Sequence, residues 1–239
     1  MPDHIMVSEI FGPTIQGEGE LAGHLSHFIR TFGCSYRCTW CDSMFAVDPR
    51  ESPKAHRLTP DQIVERVHWL KAPAPWLTLT GGDPVDWDMT GVVVPLLNDY
   101  KIAVETQGAR WQDWLEYCHL VTVSPKPPSS GMIDKLDPAV LQKYYARLRA
   151  RMVLKIVIFD DDDLFFAERI HKFLPDIRMY LSAGTDISDG PTTTYLAPVP
   201  GALDRYRWLW ERITARPKLA NCIALPQLHV LVWGQERGH

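Results

Sequence analysis

At 239 residues, with 46% hydrophobic and 23% charged side chains, the sequence has the make-up of a globular protein able to bury a full core, and one domain over 1–239 is expected. A formal net charge of −4 with no basic run removes any general attraction to nucleic acid, and the longest apolar stretches, such as VVVPLL, are too short to span a bilayer. The N-terminal MPDHIMVSEIF lacks the basic-then-apolar order of a secretory leader, and five cysteines, an odd number, suit a reducing compartment, so a cytoplasmic location without membrane contact is expected.

Short β-branched or apolar runs alternate with amphipathic stretches, the pattern of strand–helix units around a largely parallel sheet. In chain order, a strand over His27 to Phe32 runs into the cysteine-rich CSYRCTWCD, Cys34 to Asp42. A helix then opens with Thr59 as N-cap, Pro60 in the first turn and Gln62 placed to complete a capping box. A strand over Trp76 to Thr80 ends in GGDP, and one over Ile102 to Thr106 ends in QG. After a helix near Trp111 to Tyr117, a strand over Leu120 to Ser124 leads into the stiff loop SPKPPSSG. A helix over Pro138 to Ala150 precedes a strand over Val153 to Phe159. The acidic run Asp160 to Asp163 reads as a solvated turn before a helix over Leu164 to Phe173. A strand over Ile177 to Ala183 ends in GTD, and a helix over Leu203 to Thr214 and the segment LPQLHVLVWG follow. The special clusters thus fall just beyond strand C-termini, the edge where parallel α/β folds build their sites, and they form one candidate pocket.

Three of the five cysteines, Cys34, Cys38 and Cys41, lie within eight residues in the spacing C-x3-C-x2-C. Loops this small strain a disulfide, and three thiols cannot pair off. Three thiolates can instead hold three corners of a cubane iron–sulfur cluster and leave the fourth iron open. Zinc is the competing ligand, but its ribbons and fingers pair one C-x2-C knuckle with a second, and Cys118 and Cys222 are far apart in apolar surroundings. Those two read as small core residues.

CSYRCTWC resembles the signature of radical S-adenosylmethionine (SAM) enzymes, in which the open iron of a 4Fe-4S cluster is chelated by SAM, and GGDP resembles their second motif, usually written with Glu in the third place. EIFGPTIQGEG, CSYRCTWCDS, LTGGDP, ETQG, SPKPPSS and LPQLHVLVWG together extend the resemblance over nearly the whole chain to the 7-carboxy-7-deazaguanine synthase family. The resemblance implies a partial (β/α) barrel of about six units, typically a homodimer. The implied reaction is a carbon–nitrogen lyase that contracts the ring of 6-carboxy-5,6,7,8-tetrahydropterin to 7-carboxy-7-deazaguanine and ammonia, on the route to queuosine and related 7-deazapurines. An electron donor such as flavodoxin or ferredoxin would reduce the cluster.

The same resemblance distributes the site. Cys34, Cys38 and Cys41 are the cluster ligands. Trp40, Cys41, Asp42, Gly82, Asp83, Glu105, Ser124, Pro125 and Lys126 contact SAM, Glu105 through its ribose. Ile15, Gln16, Gly17, Glu18, Arg30 and Thr80 contact the pterin, and Ser43 gives a hydroxyl to Mg2+. Residue chemistry agrees for three of these. Gln16 and Glu18 offer the donor and acceptors that an amide–amidine edge needs, and Arg30 can clamp a carboxylate with two parallel bonds. Taken alone, IQGEG is also a surface turn and Ser43 a loop serine satisfying backbone. Alternation does not decide which way Arg30 faces, and no side chain is named for the proton steps. The chain departs from some relatives by continuing through LPQLHVLVWG, a short C-terminal extension. There Gln227, His229 and Trp233 are candidates to close the substrate site, against the plainer reading of packing. A radical SAM activase acting on a glycyl radical protein is the rival enzyme class, and IQGEG and Arg30 argue against it.

Overall fold

The computed structural model describes residues 3–70, 72–185, 201–234 and 236–238. Its strands are β1 (Ile5–Ile15), β2 (Leu25–Thr31), β3 (His56–Leu58), β4 (Trp76–Gly81), β5 (Lys101–Thr106), β6 (Leu120–Val123), β7 (Met152–Ile158), β8 (Met179–Ala183) and β9 (Ile223–Leu225). They make a single sheet in the order β3-β1-β2-β4-β5-β6-β7-β8-β9. From β2 to β9 every neighbouring pair is parallel. The expected six strands are β2 and β4 to β8, adjacent and in chain order. The sequence reading missed β9 and the antiparallel pair β1 and β3. In β1 the signal is broken by Gly12-Pro13 at a register shift between Phe11 and Thr14.

Helices α1 (Pro60–His68), α2 (Thr90–Leu96), α3 (Pro138–Leu148), α4 (Asp161–Phe173) and α5 (Ala202–Thr214) pack on the outer face, whereas α6 (Leu228–Trp233) lies at the C-terminal edge of the sheet. The α1 capping box forms as expected, with Thr59 Oγ1 accepting from the Gln62 amide and the Gln62 side chain accepting from the Thr59 amide. The expected helix near Trp111 is a 3-10 turn, Asp113–Tyr117, and α2 was not anticipated because Pro95 sits inside it. The acidic run is a correction: Asp161 to Asp163 form the first turn of α4, Asp160 caps it through the Asp163 amide, and Asp163 is fully buried. Its carboxylate accepts from the amides of Ser129 and Phe159, tying two loops beside the site together. Of GTD, Asp186 lies outside the described residues.

The period-2 alternation of the strands divides the interior in two. Ile29, Leu77, Leu79, Ile102, Val104, Val121, Leu154, Ile156 and Leu181 face the helices and belong to the main apolar core. On the other face Ala103, Leu120, Val153 and Tyr180, with Leu21, fill the base of the barrel. One pleat further along the same strands, above this plug, come Glu105, Thr122 and Lys155. Each fully buried aliphatic side chain contributes about 1.5–3 kcal/mol, so plug and core hold the polar layer at a fixed height. Cys118 is buried in the main core and Cys222 packs against it, as expected of structural cysteines.

Candidate functional site

A cavity of about 250 Å³ opens at the C-terminal edge of the sheet. Its wall includes Cys34, Cys38, Cys41, Trp40, Asp42, Ser43, Gly82, Glu105, Ser124 and Lys126 together with Ile15, Gln16, Gly17, Glu18, Arg30 and Thr80. Of the residues expected to contact ligands, Asp83 and Pro125 are not on that wall. Asp83 is buried below it, with its carboxylate accepting from the Val85 amide, the Thr106 hydroxyl and the Gln107 amide. Burial pushes its carboxyl up to about 7 against those hydrogen bonds. The GGDP acid thus braces the turn from inside.

The cysteine loop leaves β2 at Gly33 and is held from below and from the side. A Cβ on Gly82 would meet the Gly33 carbonyl oxygen at 1.9 Å, so the two strand ends can cross this closely only because Gly82 has no side chain. From the side, the Thr39 amide donates to Ser130 O at 3.0 Å, the Thr39 hydroxyl to Ser129 O at 2.8 Å and Trp40 Nε1 to Ser129 Oγ at 3.0 Å. The proline-rich loop after β6 is therefore a brace for the thiols. Lys126, on that loop, donates to Ser124 Oγ and stands 5.9 Å from the Trp40 ring centre.

All five cysteines are free thiols. Burial pushes Cys34 up to about 11 and Cys41 to about 12, with Asp83 and Asp42 adding to it, and raises Cys38 as well. Among the described residues no three His, Cys, Asp or Glu side chains converge on one metal ion. All three thiols line the cavity, a donor set that fits a cluster in which each thiolate takes a different iron.

Opposite lies a hydrogen-bonded polar floor. Gln16 Nε2 donates to Glu105 Oε1 at 3.2 Å and Thr80 Oγ1 to Glu105 Oε2 at 2.8 Å. Glu105, expected at the SAM ribose, thus shares its carboxylate with two residues expected at the pterin. Glu18 forms a buried ion pair with Lys155 at 2.5 Å and accepts from Gln227 Nε2 at 3.0 Å. Burial alone would raise the Glu18 carboxyl, but Lys155, His229 and the hydrogen bonds outweigh it and hold it below the usual carboxylate range. Lys155 is held high by Glu18 and Glu105 despite its burial. Lys155 was missed by the sequence reading, although its place in VLKIVIF, two residues from Val153 and Val157, puts it on their barrel-facing side.

Of the C-terminal candidates, Gln227 and His229 reach the cavity and Trp233 is not on its wall. Thr185 Oγ1 donates to Gln227 Oε1, and the Leu228 amide donates to Gly17 O at 3.0 Å. A Cβ on Gly17 would meet His229 Nδ1 at 2.3 Å. Arg30 faces inward: its Nε donates to Glu9 Oε1 at 2.8 Å and its Nη1 to Ser43 Oγ at 3.2 Å, and Ser43 in turn donates to Asp42 Oδ1 at 2.9 Å. Glu9 is the cross-strand partner of Arg30 and went unseen along with β1.

No family model matches the sequence. Among characterised proteins it is similar to the 7-carboxy-7-deazaguanine synthases of Bacillus cereus, at 38% identity covering 98% of both chains, and of Bacillus subtilis, at 38% identity covering 100% of both. That of Halobacterium salinarum is 30% identical and covers 95% of this chain and 90% of its own. Among solved structures, QueE from Escherichia coli superposes with a TM-score of 0.69 at 22% identity, covering 95% of both chains. Streptococcus suis SuiB bound to S-adenosylmethionine shares the fold over 82% of this chain and 48% of its own, with a TM-score of 0.52 at 11% identity.

Proposed function

The chain belongs to the 7-carboxy-7-deazaguanine synthase family, radical SAM enzymes of 7-deazapurine synthesis, and we propose that the cavity at its sheet edge takes SAM on the thiol side and the carboxylated pterin on the polar floor. The reaction is the ring contraction of 6-carboxy-5,6,7,8-tetrahydropterin to 7-carboxy-7-deazaguanine with loss of ammonia. The observation that carries the residue assignment is the junction itself: three unpaired thiols and the Gln16–Glu105–Glu18 floor open onto one cavity. Family membership implies a 4Fe-4S cluster, which Cys34, Cys38 and Cys41 would hold. When bound, cluster and SAM supply reductive carbon–sulfur cleavage, and the protein's own contribution is orientation and exclusion of water.

Trp40, Asp42, Gly82, Ser124 and Lys126 form the SAM side, with Asp83 bracing it from below and Pro125, off the wall, joining Ser124 to Lys126. Lys126 gives that side a cation and Trp40 an aromatic face for adenine. Glu105 stands at the border, where one carboxylate can receive both a ribose hydroxyl and the Gln16 amide. On the floor, Glu18 remains ionised because Lys155 neutralises it, so it can accept N–H bonds from the guanidine-like edge of the pterin. Ile15 and Gly17 present a flat wall, Thr80 a hydroxyl, and Arg30 the Nη edge of its guanidinium to the carboxylate. Ser43, already bonded to Asp42, would hold Mg2+, which would supply positive charge for the same carboxylate. We further propose a single domain, a homodimer, a flavodoxin or ferredoxin as reductant and a cytoplasmic location. Among the described residues no helix is long and apolar enough to cross a membrane.

The test is anaerobic incubation of the reconstituted protein with SAM, reductant and the carboxylated tetrahydropterin. The deazaguanine acid should form, with SAM recovered. Deoxyadenosine without the deazaguanine would leave a radical SAM enzyme with a different substrate.

A further inference from the structure

At the Arg30 end of the cavity the charges do not balance for an incoming anion. Arg30 is already engaged on Nε by Glu9 and on Nη1 by Ser43, which carries the Asp42 carboxylate behind it. Glu9 and Asp42 both line the same cavity. Besides the Mg2+ proposed at Ser43, a carboxylate arriving there meets two like charges and one guanidinium that is already paired. Like charges at contact disfavour binding, so a protein cation beyond Arg30 would favour the carboxylate alongside that metal.

Arg237 is placed to be that cation. It lines the cavity, and its guanidinium lies 3.7 Å from the centre of the Phe45 ring, on which Arg30 also bears at 5.6 Å. Among the described residues Arg237 makes no hydrogen bond or ion pair; its stack on Phe45 is what positions it. A guanidinium lying on an aromatic face keeps its N–H rim free for in-plane bonds to a carboxylate, and the face restricts its rotation beforehand. Phe45 lies two residues after Ser43, so the stack stands beside the hydroxyl–carboxylate pair that Arg30 contacts.

We propose that Arg237 is a second carboxylate-binding cation of the substrate site, delivered by the C-terminal segment, and that it makes the cavity select a carboxylated pterin over an uncarboxylated one. The proposal rests on the reading that the substrate carboxylate lies at Arg30. The alternative is a purely structural one, in which the stack fastens the C-terminal segment and touches no ligand.

Binding separates these. The probes are 6-carboxypterin and pterin, both oxidised and unreactive, titrated by fluorescence quenching into the reconstituted, SAM-bound protein and its Arg237→Ala, Arg237→Lys and Arg30→Ala variants. Cluster absorbance serves as the folding control. Arg237→Ala should weaken 6-carboxypterin by about tenfold or more, the loss expected for one charge-assisted bond, and leave pterin within about twofold. Arg237→Lys should recover part of the loss. Equal weakening of both ligands, or no change in either, overturns the proposal. If Arg30→Ala abolishes discrimination while Arg237→Ala does not, the Arg30 reading stands and this proposal falls. If neither variant alters discrimination, the carboxylate lies elsewhere and both fall.

Discussion

Lys155 and Glu18 are a buried pair whose members each need the other. Lys155 sits in a strand with every residue buried, and only Glu18, with Glu105 nearby, keeps its ammonium charged at that depth. Removing one partner of such a pair strands a charge, at a cost of about 3–5 kcal/mol, whereas removing both costs much less. We therefore expect Glu18→Gln and Lys155→Met each to lower stability by that amount in urea unfolding, and the double variant to recover a large part; strictly additive losses would show that the two are uncoupled. The pH dependence follows from the same pair. Glu18 has a folded-state pKa lowered below its ordinary 4.5 to about 2, so its stabilisation is present above 4.5 and is lost as pH falls from there toward 2. Unfolding midpoints of the wild type should fall through this acid window, and Glu18→Gln should flatten that part of the curve. The Mg2+ site proposed at Ser43 would rest on one hydroxyl beside one carboxylate and would therefore be weak. Ser43→Ala should blunt the activation of turnover by Mg2+, and an unchanged response would remove Ser43 from the metal site.

At the scale of elements, the C-terminal helix α6 and the IQGEG loop after β1 close on each other. The contact depends on Gly17, because a Cβ there would also come within 2.9 Å of the His229 backbone nitrogen, which a side-chain rotation cannot relieve. Gly17→Ala should push α6 away from the loop, raise KM for the pterin and speed proteolysis of the C-terminal segment, with SAM affinity unchanged. Intact proteolytic resistance with a normal KM would show that the loop adapts. Neither partner in this contact was legible as such in the sequence. IQGEG was readable for its hydrogen-bonding chemistry and LPQLH as a candidate closure, but their meeting joins residues from opposite ends of the chain, and local pattern carries no trace of that. The six parallel strands were legible because each is an apolar run bounded by turn residues, and the α1 cap because it is chemically local. β1 was lost to its Gly-Pro interruption, and Glu9 with it. Lys155 was the opposite case, visible in principle from alternation but hidden inside a run that reads as core. Asp163 failed for a third reason: four aspartates in a row look solvated, and only the loops above them reveal that one carboxylate is used indoors.

Across the whole molecule, the plug formed by Leu21, Ala103, Leu120, Val153 and Tyr180 fills the base of the barrel, and the cavity lies at the strand C-termini. The thiols belong to the loop after β2, braced by the loop after β6, whereas the floor is assembled from β1, β4, β5, β7 and the C-terminal segment. On the proposed assignment, radical generation and substrate recognition would fall mainly to different elements facing one space. Arg30 is the informative place to separate them, because it projects from β2 immediately before the cysteine loop and yet bonds to Glu9 and Ser43 rather than to any thiol. Arg30→Ala should weaken binding of the carboxylated pterin by about 2–4 kcal/mol, and Arg30→Lys should restore only part, having the charge without the planar fork. In both variants the cluster spectrum should match the wild type, while Ala at Cys34, Cys38 or Cys41 should abolish it and Cys118→Ala should not. SAM should still be cleaved slowly by the Arg30 variants, so that deoxyadenosine accumulates over deazaguanine. The opposite pattern, normal pterin affinity with lost SAM binding, would move Arg30 to the cofactor side and bring the boundary between the two halves of the cavity one strand closer to the floor.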